Sequence, residues 1–563
     1  MPKRQLGEEV TDLPFKRGRS GISFSAPENS PSFSHISRLS DEILLNVFER
    51  LCLEQLLLCQ RVSHRWHKIS TDPELWKRLY FVRYVKPRLA HLRSRRHIAS
   101  QEWWMTETTQ NESGGRKDWK HLFKVRHNWH KGRCAISEMD ISDPVSTLEN
   151  FQISKMGSFW DEPQVSSSPP LVQFDGKIFV SVDKEAGLRA WDITQIEHGE
   201  RKVVGNRKFR GYEEGWMLGT PSALAMDGDE VNPNIIVGFE SGGAMILQLH
   251  PMGASDCREH GFWVRFVLPP PETPSKILHV TYSYPYLLTL DANNNLRAYL
   301  FDSDSLQLKN PRPLATLRAP ALRGPCNLTL RRIKSGADET IIASIAYSMP
   351  LFHGGWSVGI QEVVLDTGSP DGISRTRIGT CVPPTYNLQI HPDGITSSMP
   401  LMSTPSASPT SISYSHPYLL TSHRDNTLTL YLARSTDKEI SIGEPRRLWG
   451  HTTGVAKAGV AGRGRAVSVS QVGGEVRVWE LESIASTPTK ARATVQSGSF
   501  VGVVESIRVE NASPKRDGKD LYLDNIRRGP LAVEWIGFDE EKVLVVTREH
   551  EREKNVTLYD FTF

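Results

Sequence analysis

Few residues of this chain have the type and spacing that could do chemistry. His353-Gly354-Gly355 has the composition of an oxyanion loop, but no nucleophile motif accompanies it, and a turn between strands explains it better. No P-loop, G-x-S-x-G or H-E-x-x-H is present. Six cysteines, Cys52, Cys59, Cys134, Cys257, Cys326 and Cys381, are scattered without a C-x-x-C pair. They read as reduced thiols of a cytosolic or nuclear protein, not as a zinc site or a disulfide frame. No enzyme, metal or cofactor is therefore expected. Ser168-Pro169, Thr404-Pro405, Ser408-Pro409, Thr487-Pro488 and Ser513-Pro514 have the form of kinase targets, and Pro-rich loops also produce such pairs by chance.

The elements around these residues fall into two regimes. At 563 residues the length suggests about three or four units, or fewer if one is a large all-β ring. Hydrophobic content of 38% and charged content of 23% are those of a soluble globular chain, and 42 Gly with 35 Pro supply many turns. No apolar run reaches membrane-spanning length, and MPKRQLGEEV leads into no apolar signal region, so no membrane partner is expected. Charge is uneven: residues 1–133 carry 25 Lys and Arg against 14 Asp and Glu, the remainder 43 against 50. A basic head could touch nucleic acid, but solvated Lys and Arg on a helical linker is the preferred reading. Residues 1–35 are polar and rich in Ser, Pro and Gly, with the composition of a disordered basic tail. Within them Lys3-Arg4 and Lys16-Arg17-Gly18-Arg19 are spaced as a bipartite nuclear import signal.

Residues 36–82 are helical by periodicity. Leu39, Ile43, Val47 and Leu51, then Leu58, Val62 and Ile69, recur at helical spacing. Ser40 is placed to cap a helix whose first turn holds Asp41 and Glu42. Three short helices make too small a core to stand firmly alone, so an apolar stripe of Leu39, Leu44, Phe48 and Leu51 is expected to meet another surface, with Val62 and Trp66 nearby. The anchors LSDEILLNVFERL, LCQRVSHRW and DPELWKRL resemble an F-box, with Ser40 where Pro is usual. In residues 83–133, assigned to a helical linker, DWKHLFKVRHNW puts Trp119, Leu122, Phe123, Arg126 and Trp129 on one face or its edge. That stretch resembles the spacer before the propeller of F-box/WD-repeat proteins.

From residue 134 to 563 helical periodicity gives way to short strands and turns. Seven strand-rich units end near residues 193, 249, 301, 366, 433, 481 and 561. The sixth carries Gly450-His451 and, after 27 residues, Trp479-Glu480, and resembles a WD repeat; the first keeps Trp191-Asp192. The resemblance gives His451 a structural hydrogen bond, not the role of a general base. The fold class expected is α+β multidomain: an all-α F-box and helical linker, then an all-β, WD-repeat-like propeller of seven blades. Closing the ring requires a strand from residues 134–153 to join the last blade. Inserts at 161–170, 383–411 and 508–528 are long and polar.

The resemblance as a whole implies a non-catalytic substrate receptor of an SCF-type ubiquitin ligase, in the nucleus and cytoplasm. Leu39, Ile43, Leu44, Phe48, Leu51, Val62 and Trp66 would dock a Skp-type adaptor, and through it a cullin and a RING subunit. The propeller would hold a protein client. In phosphodegron-reading members an Arg stands seven residues before the aromatic of a blade's penultimate strand. Arg424 before Tyr431 and Lys184 before Trp191 occupy that place here. Two cations make a weak cluster, so dependence on a multiply phosphorylated client is not expected. The alternative is an F-box/propeller scaffold outside a ligase, with nucleic acid touching the basic head.

Overall fold

The computed structural model describes residues 36, 39–86, 118–141 and most of 171–563, apart chiefly from 194–201, 228–232, 251–260, 302–310, 382–389, 396–406, 482–505 and 512–531. The tail at 1–35, most of the polar inserts, His353, Cys257 and four of the five Ser/Thr-Pro pairs lie outside the described residues. Two compact units divide at Arg78 and Leu79.

In the first unit, α1 (Asp41–Phe48), α2 (Leu53–Cys59) and α3 (His64–Ser70) follow each other through short turns, and α4 (Pro73–Tyr80) begins after them. Side chains set the boundaries. The Ser40 hydroxyl accepts from the Ile43 amide, and the Ser63 hydroxyl from the Trp66 amide. Leu44, Phe48, Leu56, Ile69, Leu75 and Trp76 are buried. Phe48 meets Trp66 edge-on, ring centroids 5.2 Å apart, and the buried Trp76 indole donates to the Ser70 carbonyl at 2.9 Å.

The second unit is a closed ring of seven blades. Six are antiparallel sheets built in chain order: 171–207, 221–268, 277–318, 326–380, 411–449 and 455–508. The seventh takes Ala532–Phe538, Lys542–Arg548 and Lys554–Asp560, then adds Arg133–Asp140 from the other end of the ring. Ala135 through Asp140 pair antiparallel with Asp560 back to Asn555, so the expected closing strand is found.

Burial explains why the sequence reads as it does. The second strand of a blade is packed on both faces, and Asn234–Phe239, Tyr286–Asp291, Tyr418–Ser422 and Arg465–Ser470 are buried at every residue. Hence the near-continuous apolar runs NIIVGF and YLLTL, where one exposed face would have given alternation. Each blade-to-blade junction has its own apolar cluster, from Leu188 with Val237 at the first to Phe179 and Trp191 with Leu544 at the last. The sixth sequence unit straddles two blades, because Arg446–Trp449 pairs with Thr427–Leu430 as an outer strand of the fifth.

The helix ahead of the closing strand belongs to the ring. α5 (Trp119–Lys131) is capped by Asp118, and Gly132 at φ 66° turns the chain directly into Arg133. A side chain there would collide with the Arg508 carbonyl, so glycine is required. Asn128 donates to the Phe561 carbonyl at 2.8 Å and Trp129 to the Glu540 carbonyl at 2.9 Å. Arg126 pairs with Glu480 of blade six at 2.9 Å. The segment expected to be a spacer thus also packs on the ring: Val125 and Trp129 join the apolar cluster of blades six and seven, while Trp119 and Phe123 meet Tyr80 and Tyr84.

Candidate functional site

Two faces could bind partners. On the helical unit, periodicity placed the seven candidates on helices but did not sort inside from outside. Leu44 and Phe48 are each 2% exposed, which corrects their placement on an outward stripe. They belong to the unit's own small core, with Leu56, Ile69, Leu75 and Trp76. Leu39, Leu51 and Trp66 are half-buried. Ile43 (49% exposed) and Val62 (62% exposed) do face outward. Val47, Leu57 and Leu58 join them as exposed large apolar residues, and sequence reasoning put none of the three among the docking candidates. The signal was LEQLLLC: of three adjacent leucines on a helix only Leu56 turns inward, so two are surplus to the core. Arg65 at the start of α3 ties back to the start of α1, pairing with Asp41 at 2.8 Å and donating to the Leu39 carbonyl. The pair is exposed, so it contributes only about 0–1 kcal/mol.

On the propeller, first strands begin and second-to-third-strand turns lie at the same end of the ring. That end carries both candidate cations, Lys184 and Arg424, each exposed. The structure does not bring them to one site. The Lys184 charge bears on Glu240 of blade two, whose carboxyl is held below the usual range first by a hydrogen bond from Thr220, then by Lys276 and Lys184. Arg424 instead lines a cleft of about 830 Å3 between blades five, six and seven, with Ser408, Thr410, Ala456, Val472 and Val533. Sequence reasoning found Arg424 but not the cleft, which needs three blades set in register.

The histidine singled out in the sequence is structural in its geometry. His451 is buried, its Nε2 2.6 Å from the Ser468 hydroxyl, and the Trp479 indole donates to that same oxygen at 2.8 Å. Burial lowers the His451 pKa to about 4, against the opposing charge of Glu475. His423 repeats the arrangement in blade five, between the Thr421 and Thr429 hydroxyls at 3.0 and 3.1 Å. Cys134 is buried and its thiol pushed up to about 12, chiefly by desolvation. Among the described residues no group of three His, Cys, Asp or Glu is arranged to hold a metal, and no helix is long and apolar enough to cross a membrane.

Comparison with known proteins places both units. A family profile described as F-box protein pof12 β-propeller matches residues 161–562, and one described as F-box-like matches residues 36–82. F-box protein pof12 of Schizosaccharomyces pombe is 22% identical over 450 residues, 79% of this chain and 84% of that protein. F-box protein dre-1 of Caenorhabditis elegans is 46% identical over 55 residues, 10% of this chain and 6% of its own length. Among solved structures, the WD40 β-propeller domain of Doa1 is similar at 10% identity and a TM-score of 0.31, covering 70% of this chain and 93% of that one. Saccharomyces cerevisiae Sqt1 is similar at 9% identity and a TM-score of 0.34, covering 70% and 97%.

Proposed function

Since the chain belongs to the F-box protein pof12 β-propeller family, we propose that it is the client-receiving subunit of an SCF-type ubiquitin ligase. The observation that carries this reading is the F-box-like match over residues 36–82 together with the outward-facing apolar residues of the same helices. Ile43, Val47, Leu57, Leu58 and Val62 dock a Skp-type adaptor, which brings a cullin and a RING subunit. Each large apolar side chain fully buried there contributes roughly 1.5–3 kcal/mol before the losses of association. The propeller holds a protein client. The receptor itself performs no bond-breaking step: it raises the local concentration of a client lysine near the ubiquitin thioester. It acts in the nucleus and cytoplasm, a placement supported by the two basic clusters at Lys3-Arg4 and Lys16-Arg19.

The test is capture of purified Skp-type adaptor and cullin by the full-length chain. The wild type should retain both, and Ile43→Glu with Val62→Glu should lose them while the chain stays folded. Failure of the wild type to bind the adaptor, with a salt-sensitive affinity for DNA or RNA, would instead favour a scaffold using the basic head.

A further inference from the structure

The cleft between blades five, six and seven has a chemical character of its own. Its walls are mostly small side chains, among them Ser408, Ala456 and Val533, which leave room for the side chains of a ligand. Val472 stands on its edge 58% exposed, an apolar residue offered to solvent at a turn. Among the described residues lining it, Arg424 is the one cation. Its sequence neighbour Asp425 does not answer that charge: it accepts from the Thr427 amide and hydroxyl and lies 3.9 Å from Arg447. Among the described residues no carboxylate pairs with Arg424. The Thr410 hydroxyl is also committed, 2.7 Å from that of Ser422 and donating to the Val455 carbonyl at 2.8 Å. The cleft thus presents one guanidinium fork, with Gln471 and Ser408 as neutral polar neighbours among small apolar residues, and its volume is in the range of sites that hold ligands, roughly 300–1,000 Å3.

We infer that this cleft is where the propeller takes its client, and that it selects an extended peptide segment with a single carboxylate beside aliphatic side chains. A planar guanidinium matches one carboxylate through two parallel hydrogen bonds. A phosphate dianion needs further cationic donors, and Lys184 is not among the lining residues, whose other polar groups are neutral. Ala456, Val533 and the exposed Val472 fit aliphatic neighbours of the acid, which would lose water together with them. The inference rests on the propeller being the client-binding unit, but not on adaptor docking.

The experiment is fluorescence anisotropy of the full-length chain with a positional-scanning octapeptide library. Peptides with Glu or Asp among Leu, Val or Ala should bind. Their Gln or Asn counterparts should bind roughly tenfold more weakly or worse, and phosphoserine counterparts no more tightly than Glu. Arg424→Gln should remove the difference between Glu and Gln peptides, Arg424→Lys should keep part of it, and Lys184→Gln should leave it unchanged. Unaltered thermal unfolding of the Arg424 variants keeps the comparison valid. Free-acid and amidated peptides lacking an internal acid separate a side-chain carboxylate from a chain-terminal one. No carboxylate-dependent binder, equal binding by Arg424→Gln, or a marked preference for phosphoserine would each overturn the proposal. Carboxylate-dependent binding in a chain that does not capture the adaptor would remove the ligase role and leave the cleft assignment standing.

Discussion

The indole of Trp129 lies flat on the ring of Phe561, centroids 4.1 Å apart and planes 13° from parallel. Arg465 of blade six covers the same indole at 5.4 Å and pairs with Glu540 of blade seven. One side chain from the helix before the ring therefore joins Phe561, just after the last strand, to two blades. Trp129→Ala should destabilise the propeller by about 3–5 kcal/mol, through the cavity and the abandoned Glu540 carbonyl. Chemical denaturation of the full chain checks this. A loss under about 1 kcal/mol would mean that α5 is an appendage.

Ser468 has an outsized role for its size. Its hydroxyl meets His451 and Trp479 together, so Ser468→Ala strands two buried polar groups. The expected loss is about 1–3 kcal/mol per stranded group. Ser468→Thr, which keeps the hydroxyl, should recover part of it. Equal stability of Ser468→Ala and the wild type would refute the bonded triad.

Desolvated histidines, His423 and His451 buried and His279 and His416 half-buried, give the ring an acid limit. Desolvation holds His279, His423 and His451 at about 4 and His416 at about 3, against an ordinary 6.5. Between those values the unfolded chain takes up protons that the folded ring refuses. Stability is then complete above about pH 6.5 and falls as pH drops towards 4. A melting temperature independent of pH from 7 to 4.5 would contradict this. His423→Gln should flatten part of the slope.

Inside and outside on the helical unit separate by mutation. Phe48→Ala should lower stability by about 3–5 kcal/mol, and adaptor capture only in step with unfolding. Val62→Glu should leave stability within about 0.5 kcal/mol and abolish capture. The reverse pattern would reassign the docking face.

Class and architecture were legible in the sequence, because blade strands announce themselves. NIIVGF and YLLTL cannot be half-exposed, and Trp479 with His451 marks one blade without any structure. Helix faces were less legible. Leu44 and Val62 have the same kind of spacing, yet one is core and the other surface, because a unit of short helices allots its inward positions by how the helices cross. The cleft was not legible at all. Arg424 and Val472 are turn residues of separate blades, and Val533 comes from a third, so their proximity is a property of the ring.

The strand Arg133–Asp140 is made early in synthesis and finds its partner, Lys554–Asp560, only when nearly the whole ring has followed. Until then its edge is unpaired and open to other chains. Contacts so distant along the chain make closure slow and late. The helices before Arg78 have no such wait, as every residue of their core lies within a short span. The two units should therefore mature on different clocks during translation. A prematurely terminated chain would carry a finished helical module beside an open, aggregation-prone sheet.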